Sequence, residues 1–442
     1  MLRFVPSLTG LLLFGVMAWL CIHHFNIYFW LLTEAGMEPW TYPFIDSGFM
    51  YAMKQCWQHG VDVYKAVPCD IIPTNRMAYS PLWQRLPLLP NSQAARIPVG
   101  VATDLLWIFS LALLPPAGTR RDATLLALAV PSTMVCFALE RNNIDVWIYL
   151  LAAAGILLAI RPAGRWAGYA IFLFAGLLKY YPFILFGLAL REKPRIFVAI
   201  AAAAAAALAI FCLTFRHELA EAMPNIPVGS PFADFFGLNN IPLIFAACLR
   251  RVTGLSARTA APIAVILRLG LTVLLCRFAL TLAEKPALAT GFRALSRAEQ
   301  TWLVAGALII CGCYVFGQSV GYRGIYLLIV LSGVLTLRRH ISDPRLRRTI
   351  AYTAISIVPL MWNGALLFWI DPTYIDAAYG IDLADAIPGP AYFVVCLARE
   401  FVWLNLARIL LAILITFAKA TPLLQGVANA QGGRHPMPGK PQ

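Results

Sequence analysis

The stretch "WAGYAIFLFAGLLKYYPFILFGLAL", residues 166–190, decides how this chain is threaded. It is long enough for one membrane span, which needs about 20 apolar residues. Basic clusters at 161–165 and 191–195 flank it, and loops rich in Lys and Arg stay on the cytoplasmic side of a membrane. Because both ends then lie on the same side, the stretch must turn back on itself. The sequence predicts a hairpin with its tip at "KYYP", Lys179 to Pro182, where proline interrupts the helix.

Composition extends this interpretation to the whole chain. Of the 442 residues, 60% are hydrophobic and 13% are charged, whereas a soluble domain has about 25% charged residues. The net charge of +14 does not indicate nucleic-acid binding, because Lys and Arg are concentrated in short loops between apolar runs. The sequence therefore predicts an all-α polytopic membrane protein, with residues 1–442 forming a single integral membrane domain.

Apolar runs predict about twelve transmembrane helices, two of them the short legs of the hairpin. The others are expected near residues 5–30, 98–116, 123–139, 144–160, 195–215, 259–283, 300–318, 323–337, 349–370 and 394–418. The first helix is expected to remain uncleaved, because no small-x-small site follows it. An even number of helices leaves both termini in the cytoplasm, including a flexible tail at 420–442.

Four longer segments then lie on the outer side, at 31–97, 140–143, 216–258 and 371–393. The first of them, 31–97, is the first extracytoplasmic loop, where Tyr, Trp and Pro favour amphipathic helices at the membrane surface. The run after Asn239, "NIPLIFAACLRRVTGLSAR", is too short and too basic at its end to cross, so it is interpreted as another interfacial helix. The alanine run at 201–207 is interpreted as close helix packing.

Cysteine and histidine show no metal-site spacing, and no Walker loop or G-x-G-x-x-G is present. Cys56 and Cys69 both fall in the first outer loop, where a disulfide could form; the sequence leaves this pairing open. Nothing indicates a metal or a nucleotide cofactor.

Four sites carry polar residues at the outer ends of helices. A charged group at membrane depth costs about 2.5 to 3.5 kcal/mol, so those that remain usually face a partner or a cavity. The sites are Asp46, the segment "ERNNID" from Glu140 to Asp145, Lys179, and "GQSVGYRGIY" from Gly317 to Tyr326. We expect one outward-facing cavity to contain them.

Each of these residues also has a structural interpretation. Asp46 could cap a helix beginning at "DSGFMYAMKQCW". Lys179 could extend to the membrane surface, and Arg323 could anchor the start of a helix. Asp145 and Glu140 could pair with Arg141.

The order of short motifs resembles glycosyltransferase family 87, the polyprenol-phosphate-sugar-dependent mannosyltransferases and related bacterial proteins of the GT-C class. An acid after the first helix is followed by "GVDVY" at 60–64, "YSP" at 79–81, an Asn-rich turn, "AGLLKYYP" ending at 182, and "GYRGIYLL" at 321–328. These resemble the family's D, G-x-x-x-Y, Y-x-P, G-N/Q-x-N, K-x-x-P and D-Y-R-x-x-x-L motifs.

The resemblance implies an inverting glycosyltransferase that moves a sugar, a mannose-like hexose or a pentose, from a polyprenyl-phosphate carrier to an extracytoplasmic glycolipid or glycan. It also implies a bacterial inner membrane, with the active site facing the periplasm or cell exterior. Asp46 is then the general base. Donor-phosphate binding falls to Lys179, Arg323, Tyr322, Arg250 and Arg251. Support of the site or binding of the acceptor falls to Asn143, Asp145, Glu140, Tyr64, Tyr79 and Gln318. A metal-independent reaction without a cofactor is implied, with the lipid-linked donor, the acceptor and membrane lipids as partners and no nucleic acid.

The chain departs from the family pattern at two places. "ERNN" stands where Gly-Gln or Gly-Asn is usual, and Gly321 stands where an acid precedes Tyr-Arg. The rival function is a polytopic transporter or lipid flippase, which would also surround a cavity with ionisable groups. The chain shows no internal repeat, which counts against this rival, and a noncatalytic scaffold is the third interpretation.

Overall fold

The computed structural model describes residues 2–37, 39–72, 75–226, 229–372 and 387–424, and these are mostly helical. The tail predicted at 420–442 lies outside the described residues from 425 onward, as does most of the outer segment 371–393. The protein is an all-α membrane protein with many spans. Its one pair of strands within the described ranges is only two residues long on each side.

The elements follow in chain order. The first half contains α1 Val5–His23, α2 Phe25–Glu34, α3 Ile45–Gln58, α4 Leu82–Arg85, α5 Arg96–Ser110, α6 Arg120–Ala129, α7 Thr133–Glu140, α8 Ile144–Ile160, α9 Arg165–Lys179, a 3-10 helix Tyr181–Arg191, α10 Pro194–Thr214 and α11 Arg216–Ala222. The second half contains β1 Phe235–Phe236, α12 Asn240–Thr253, α13 Ala257–Ala283, α14 Pro286–Arg293, α15 Arg297–Phe316, β2 Ser319–Val320, a 3-10 turn Gly321–Tyr326, α16 Leu327–His340, α17 Pro344–Met361, α18 Asn363–Ile370 and α19 Pro390–Lys419.

Every segment predicted to cross the membrane is helical. Seven of the described helices are long and apolar enough to span a bilayer, and two bent pairs, α6 with α7 and α17 with α18, raise the number to nine. The other three predicted crossings are shorter: α8, α9 and the 3-10 helix. Twelve crossings therefore stay a prediction. The first segment differs from its expected form, because the chain breaks at His24, the second of two consecutive polar histidines, into α1 and α2.

The stretch 166–190 forms the hairpin that its basic flanks predict. Helix α9 ends at Lys179, Tyr180 adopts a positive φ of 50°, and the chain returns as the 3-10 helix. The two legs run antiparallel, since Arg165 at the start of one donates a hydrogen bond to Glu192 beyond the end of the other at 3.3 Å. Between them the rings of Tyr169 and Phe186 stack at 6.2 Å. Lys179 is thus held at the tip.

Helices α15 and α16 form the centre of the molecule, whereas α10 and α13 lie at its periphery. About four-fifths of each central helix is buried, compared with 11% of each peripheral one. The interpretation of the alanine run 201–207 as close helix packing is therefore wrong for this chain. Most of its residues are exposed, because α10 has few neighbours on that face.

The segment 31–97, predicted to be the first outer loop, is folded around α3. Cys56 and Cys69 are joined by a disulfide, with their Cα atoms 5.7 Å apart. The side chain of Lys54 is buried and donates hydrogen bonds to the carbonyl oxygens of Leu86, at 2.6 Å, and of Leu89. These contacts hold both sides of the loop against α3.

We predict that replacing Cys56 and Cys69 together by serine lowers the stability of the protein by about 3 kcal/mol, because the bridge restricts a short loop in the unfolded chain. The bridge closes a segment with a sequence separation of 13. Thermal unfolding of the purified protein in detergent measures the effect as a lower Tm. Cys276→Ser, which changes an exposed free cysteine of α13, is the control. Equal Tm values for the two variants would show that the bridge does not stabilise the loop.

Candidate active site

A sharp turn between α7 and α8 supplies the first part of the site. Asn142 has a φ of 43°, a left-handed conformation that asparagine tolerates better than most residues. Its side chain donates to Asp104 of α5 at 3.3 Å and accepts a hydrogen bond from Trp147 Nε1 at 3.1 Å, so the turn is anchored on both sides. The next residue, Asn143, caps α8 by accepting a hydrogen bond from the backbone N–H of Asp145 at 3.0 Å. The turn therefore fixes the side chains of Asn142 and Asn143, next to Arg141.

Asp46 binds to this turn and does not cap its own helix. Helix α3 begins at Ile45 after Phe44, and no side chain caps it. The carboxylate of Asp46 accepts hydrogen bonds from Arg141 Nε at 2.9 Å and from Asn143 Nδ2 at 2.5 Å. The interpretation of Asp46 as an N-cap is thus wrong, and Arg141 takes Asp46 as its hydrogen-bonded partner in place of Asp145.

Asp145 forms the second ion pair of the site, and two cations share it. Lys179 Nζ donates to its Oδ2 at 2.9 Å, and Tyr181 OH donates to its Oδ1 at 2.6 Å. Arg323 Nε lies 3.6 Å from Oδ2. A buried carboxylate requires such partners, because removing one from a buried ion pair leaves an uncompensated charge.

Tyrosine rings surround the two cations. Lys179 Nζ lies 5.2 Å from the centre of the Tyr79 ring and 5.6 Å from that of Tyr322. The guanidinium of Arg323 lies 5.2 Å from the ring of Tyr181. These distances are those of cation–π contacts, which hold a positive charge without neutralising it.

The cluster opens on one side. The Asp145 side chain is fully buried and Lys179 is 5% exposed, whereas Asp46 is 18%, Arg141 21% and Arg323 22% exposed. The residues pack directly against one another, so the site is a cluster of ion pairs with an exposed edge, where the sequence predicted an outward-facing cavity. Three basic side chains, Arg141, Lys179 and Arg323, therefore meet the carboxylates of Asp46 and Asp145, and Glu140 lies at the border beside Arg141.

Arg323 is positioned by the short strand pair. Phe235 pairs with Val320, and Phe236 with Ser319. The backbone N–H of Gly321 donates to the carbonyl oxygen of Asp234 at 2.8 Å. The carboxylate of Asp234 lies directly against Gly321, so that a side chain at position 321 would collide with it. An acid therefore does lie against Gly321, the residue before Tyr322, but it comes from the loop before β1.

A second buried network of hydrogen bonds joins the loop before β1 to α19. Arg399 of α19 donates to the carbonyl oxygens of Pro231 and Ala233, both at 2.6 Å, and pairs with Glu400. Glu400 accepts a hydrogen bond from Asn240, which in turn accepts one from Gln318. The sequence analysis missed Arg399, Glu400 and Asp234. The signal for the first two was available, since adjacent opposite charges stand inside an apolar run.

The structure brings seven of the predicted site residues into one cluster: Asp46, Asn143, Asp145, Lys179, Arg323, Tyr79 and Tyr322. Glu140 borders it, beside Arg141 and Tyr28. The remaining predicted residues lie elsewhere. Gln318 holds the loop at Gly229 and Asn240, Tyr64 contacts Gln84, and Arg250 and Arg251 occupy the last turn of α12. Arg141, Tyr181 and Tyr326 also belong to the cluster; they lie in the segments expected to meet there, but no individual role was predicted for them.

Within the described ranges, no group of three or more His, Cys, Asp or Glu side chains could hold a metal ion. Comparisons with models of known protein families, with curated proteins and with solved structures found no match. The resemblance to glycosyltransferase family 87 therefore depends on the ordered motifs alone.

We predict that Gly321→Ala lowers the stability of the protein by about 1 to 3 kcal/mol, because the new methyl group overpacks against Asp234. Gly317→Ala is the matched control in the same loop, since a methyl group there would meet no atom within 4 Å. Thermal unfolding compares the two variants. Adding Asp234→Ala to Gly321→Ala should recover part of the loss. Equal Tm values for Gly317→Ala and Gly321→Ala would mean that the Asp234 contact does not restrict this position.

Proposed function

We propose that the protein is a polyprenyl-phosphate-sugar-dependent glycosyltransferase with its site at the outer membrane surface. One observation carries the proposal: a partly exposed carboxylate, Asp46, lies in the same cluster as Lys179 and Arg323, although each lies far from the others in sequence. A general base beside two phosphate-binding cations is what sugar transfer from a lipid phosphate requires. The disulfide in the first outer loop supports placing the site in an oxidising compartment such as the periplasm.

Asp46 is suited to accept a proton at its exposed edge. A carboxylate offers about four lone-pair positions. Arg141 Nε and Nη2 both approach Oδ1 at 2.9 Å, and Asn143 approaches Oδ2. One position on Oδ2 stays open to the hydroxyl of an acceptor. Arg141 and Asn143 also fix the orientation of the carboxylate, so that little rearrangement is needed before proton transfer.

Arg323 and Lys179 are suited to the donor phosphate. Arg323 donates one hydrogen bond, from Nη1 to Ser319 at 2.9 Å, while its buried Nε has no hydrogen-bond partner. A guanidinium has five N–H donors, and the Arg323 side chain is 22% exposed, so its Nη donors are the ones suited to a phosphate. Lys179 uses its bond to Asp145 as an anchor at the inner end of the cluster.

The reaction follows from these positions. The acceptor oxygen attacks the anomeric carbon of the sugar while its proton passes to Asp46. The bond between the anomeric carbon and the phosphate oxygen breaks, and the phosphate leaves with the electron pair toward Arg323 and Lys179. Attack from the side opposite the phosphate inverts the configuration. The alternative function, transport or flipping of a lipid-linked sugar, would use the cations but has no need for an open base.

We predict that Asp46→Asn keeps the fold and the binding of polyprenyl phosphate but slows sugar transfer by about 10² to 10⁴-fold, the usual contribution of a general base. The amide has the size of the carboxylate but cannot take up the acceptor proton. Transfer from a radiolabelled polyprenyl-phosphate sugar by the purified protein measures the rate, with Tm recorded in parallel.

Asp62→Asn is the matched control for Asp46→Asn. Asp62 lies in the same outer loop but pairs with Lys65 at 2.7 Å, and the hydrogen bond from Lys65 lowers the pKa of Asp62. Asp62→Asn should transfer sugar at the wild-type rate. A wild-type rate for Asp46→Asn would remove Asp46 as the base, whereas no sugar transfer by the wild-type protein would favour the transporter.

We predict that Arg323→Gln weakens binding of polyprenyl phosphate about tenfold or more, because a charge-assisted phosphate contact is worth about 1.5 to 3 kcal/mol. In Arg323→Gln the ion pair between Asp145 and Lys179 remains, so the stability should fall less than in Lys179→Ala. Native mass spectrometry or a fluorescence titration measures binding. Arg251→Gln is the control, since Arg251 is exposed at the end of α12. Weaker binding in Arg251→Gln alone would place the phosphate at α12.

A further inference from the structure

A cavity of about 110 Å³ lies at the base of the hairpin, at the end away from its tip. The end of the 3-10 helix, α14, the start of α15 and the end of α19 meet around it. None of the described residues that line it is acidic, and its polar lining comes from Arg191, Arg297, Gln300, Thr301 and Thr421. We call it the arginine cavity.

The arginine cavity is separate from the ion-pair cluster. The 3-10 helix runs from Tyr181, which donates to Asp145, to Arg191, and its 11 residues span about 20 Å. The basic flanks of the hairpin predict that the Arg191 end faces the cytoplasm. The cavity and the cluster are therefore expected toward opposite sides of the membrane.

Arg191 is fixed in the wall of the cavity. Its Nη1 donates to Thr301 Oγ1 at 2.7 Å, and its Nη2 donates to the carbonyl oxygen of Ala159. The side chain is 14% exposed, and its buried Nε has no hydrogen-bond partner. Glu192 Oε1 lies 3.8 Å from that Nε, but the carboxylate of Glu192 also accepts a hydrogen bond from Arg165 at 3.3 Å. The charge of Arg191 is therefore only partly offset.

Arg297 supplies a second positive charge. It is exposed, and it forms no ion pair with any residue that the structure describes. Glu299, in the same turn of α15, accepts a hydrogen bond from the backbone N–H of Ser296 at 2.8 Å as part of the helix cap. The charge of Arg297 acts on that of Arg191. Two like charges thus line one cavity, and an anion between them would offset both.

We propose that the arginine cavity binds a phosphate group. Guanidinium groups suit phosphate, because their N–H donors match the phosphate oxygens in geometry and charge. Basic pockets between helices at a cytoplasmic membrane surface bind the headgroups of anionic lipids. The rings of Phe292 and Phe417, with centres 6.4 Å apart, give the cavity an apolar side. The phosphate belongs either to an anionic lipid of the membrane or to a free phosphate compound of the cytoplasm.

The end of the chain offers no acidic side chain that could take the place of this anion. Ala420, Thr421 and Pro422 line the cavity, and residues 423–442 contain no Asp or Glu. The anion is therefore expected from outside the protein. The proposal does not depend on glycosyl transfer, because no residue of the ion-pair cluster lines the cavity.

The experiment compares Arg297→Gln with Arg293→Gln. Both changes remove one exposed positive charge from the same basic segment, but only Arg297 lines the cavity. A third variant, Ala420→Phe, keeps both arginines of the cavity and fills it with a ring. Native mass spectrometry of the purified full-length protein measures the binding of phosphatidylglycerol and of phosphatidylcholine. Tm shows that each variant is folded, and it is also recorded with inorganic phosphate and with chloride at equal ionic strength.

Arg297→Gln and Ala420→Phe should bind phosphatidylglycerol about tenfold or more weakly than the wild type, which corresponds to about 1.4 kcal/mol. Arg293→Gln should bind it like the wild type, and phosphatidylcholine should not distinguish the variants. These results would assign the phosphate to a lipid headgroup. A free phosphate compound is assigned if inorganic phosphate raises the Tm of the wild type but not of Arg297→Gln, while phosphatidylglycerol binds both equally.

Two results would overturn the proposal. Equal weakening of phosphatidylglycerol binding in Arg293→Gln and Arg297→Gln would mean that the general positive charge of the surface attracts the lipid. Equal behaviour of the wild type and Arg297→Gln toward both phosphatidylglycerol and inorganic phosphate would mean that the cavity binds neither. The two arginine variants decide the test even if Ala420→Phe does not fold. Sugar transfer enters neither result, so the proposed function is tested separately.

Discussion

One buried carboxylate shared by two cations holds the ion-pair cluster of this protein together. Asp145 starts α8, Lys179 ends α9, and Arg323 lies in the turn before α16. Each residue alone would be unfavourable at that depth, and breaking a buried pair typically costs about 3 to 5 kcal/mol. The three segments therefore adopt their positions together. The hairpin tip, the start of α8 and the turn that carries Arg323 are joined by this one negative charge.

The two bonded acids of the cluster differ in environment, and this difference separates their roles. Asp145 is fully enclosed and has all its partners within the protein. Asp46 lies at the edge, with Arg141 and Asn143 on one side and an open oxygen position on the other. A carboxylate in the first setting organises its neighbours. A carboxylate in the second can exchange a proton with a bound molecule, and its charge also acts on Lys179 across the cluster.

Local signals in the sequence predict the helices and the hairpin, because apolar length and basic flanks are properties of each segment. The cost of charge at membrane depth also predicts that Lys179 and Arg323 need partners. Which partner each takes is decided by distant parts of the chain. From the sequence, Asp46 suits a helix cap equally well. In the structure, the left-handed turn at Asn142 places Arg141 beside it. The alanine run was misread for the same reason, since small residues give close packing only where another helix is present. Asp234 could not be found from its own neighbours, because it acts on Gly321 through the strand pair.

The ion pair inside α19 has a consequence for the order in which the protein is assembled. Arg399 and Glu400 lie within an apolar helix of 30 residues, and their partners at Pro231, Ala233 and Asn240 are synthesised long before them. Until α19 is synthesised, the carbonyl groups of Pro231 and Ala233 and the side-chain amide of Asn240 lack these partners in α19. When α19 enters the membrane, Arg399 and Glu400 can bind these groups, which are already present. Helix α19 therefore fixes the loop before β1 only after the segments that precede it in the chain have been made.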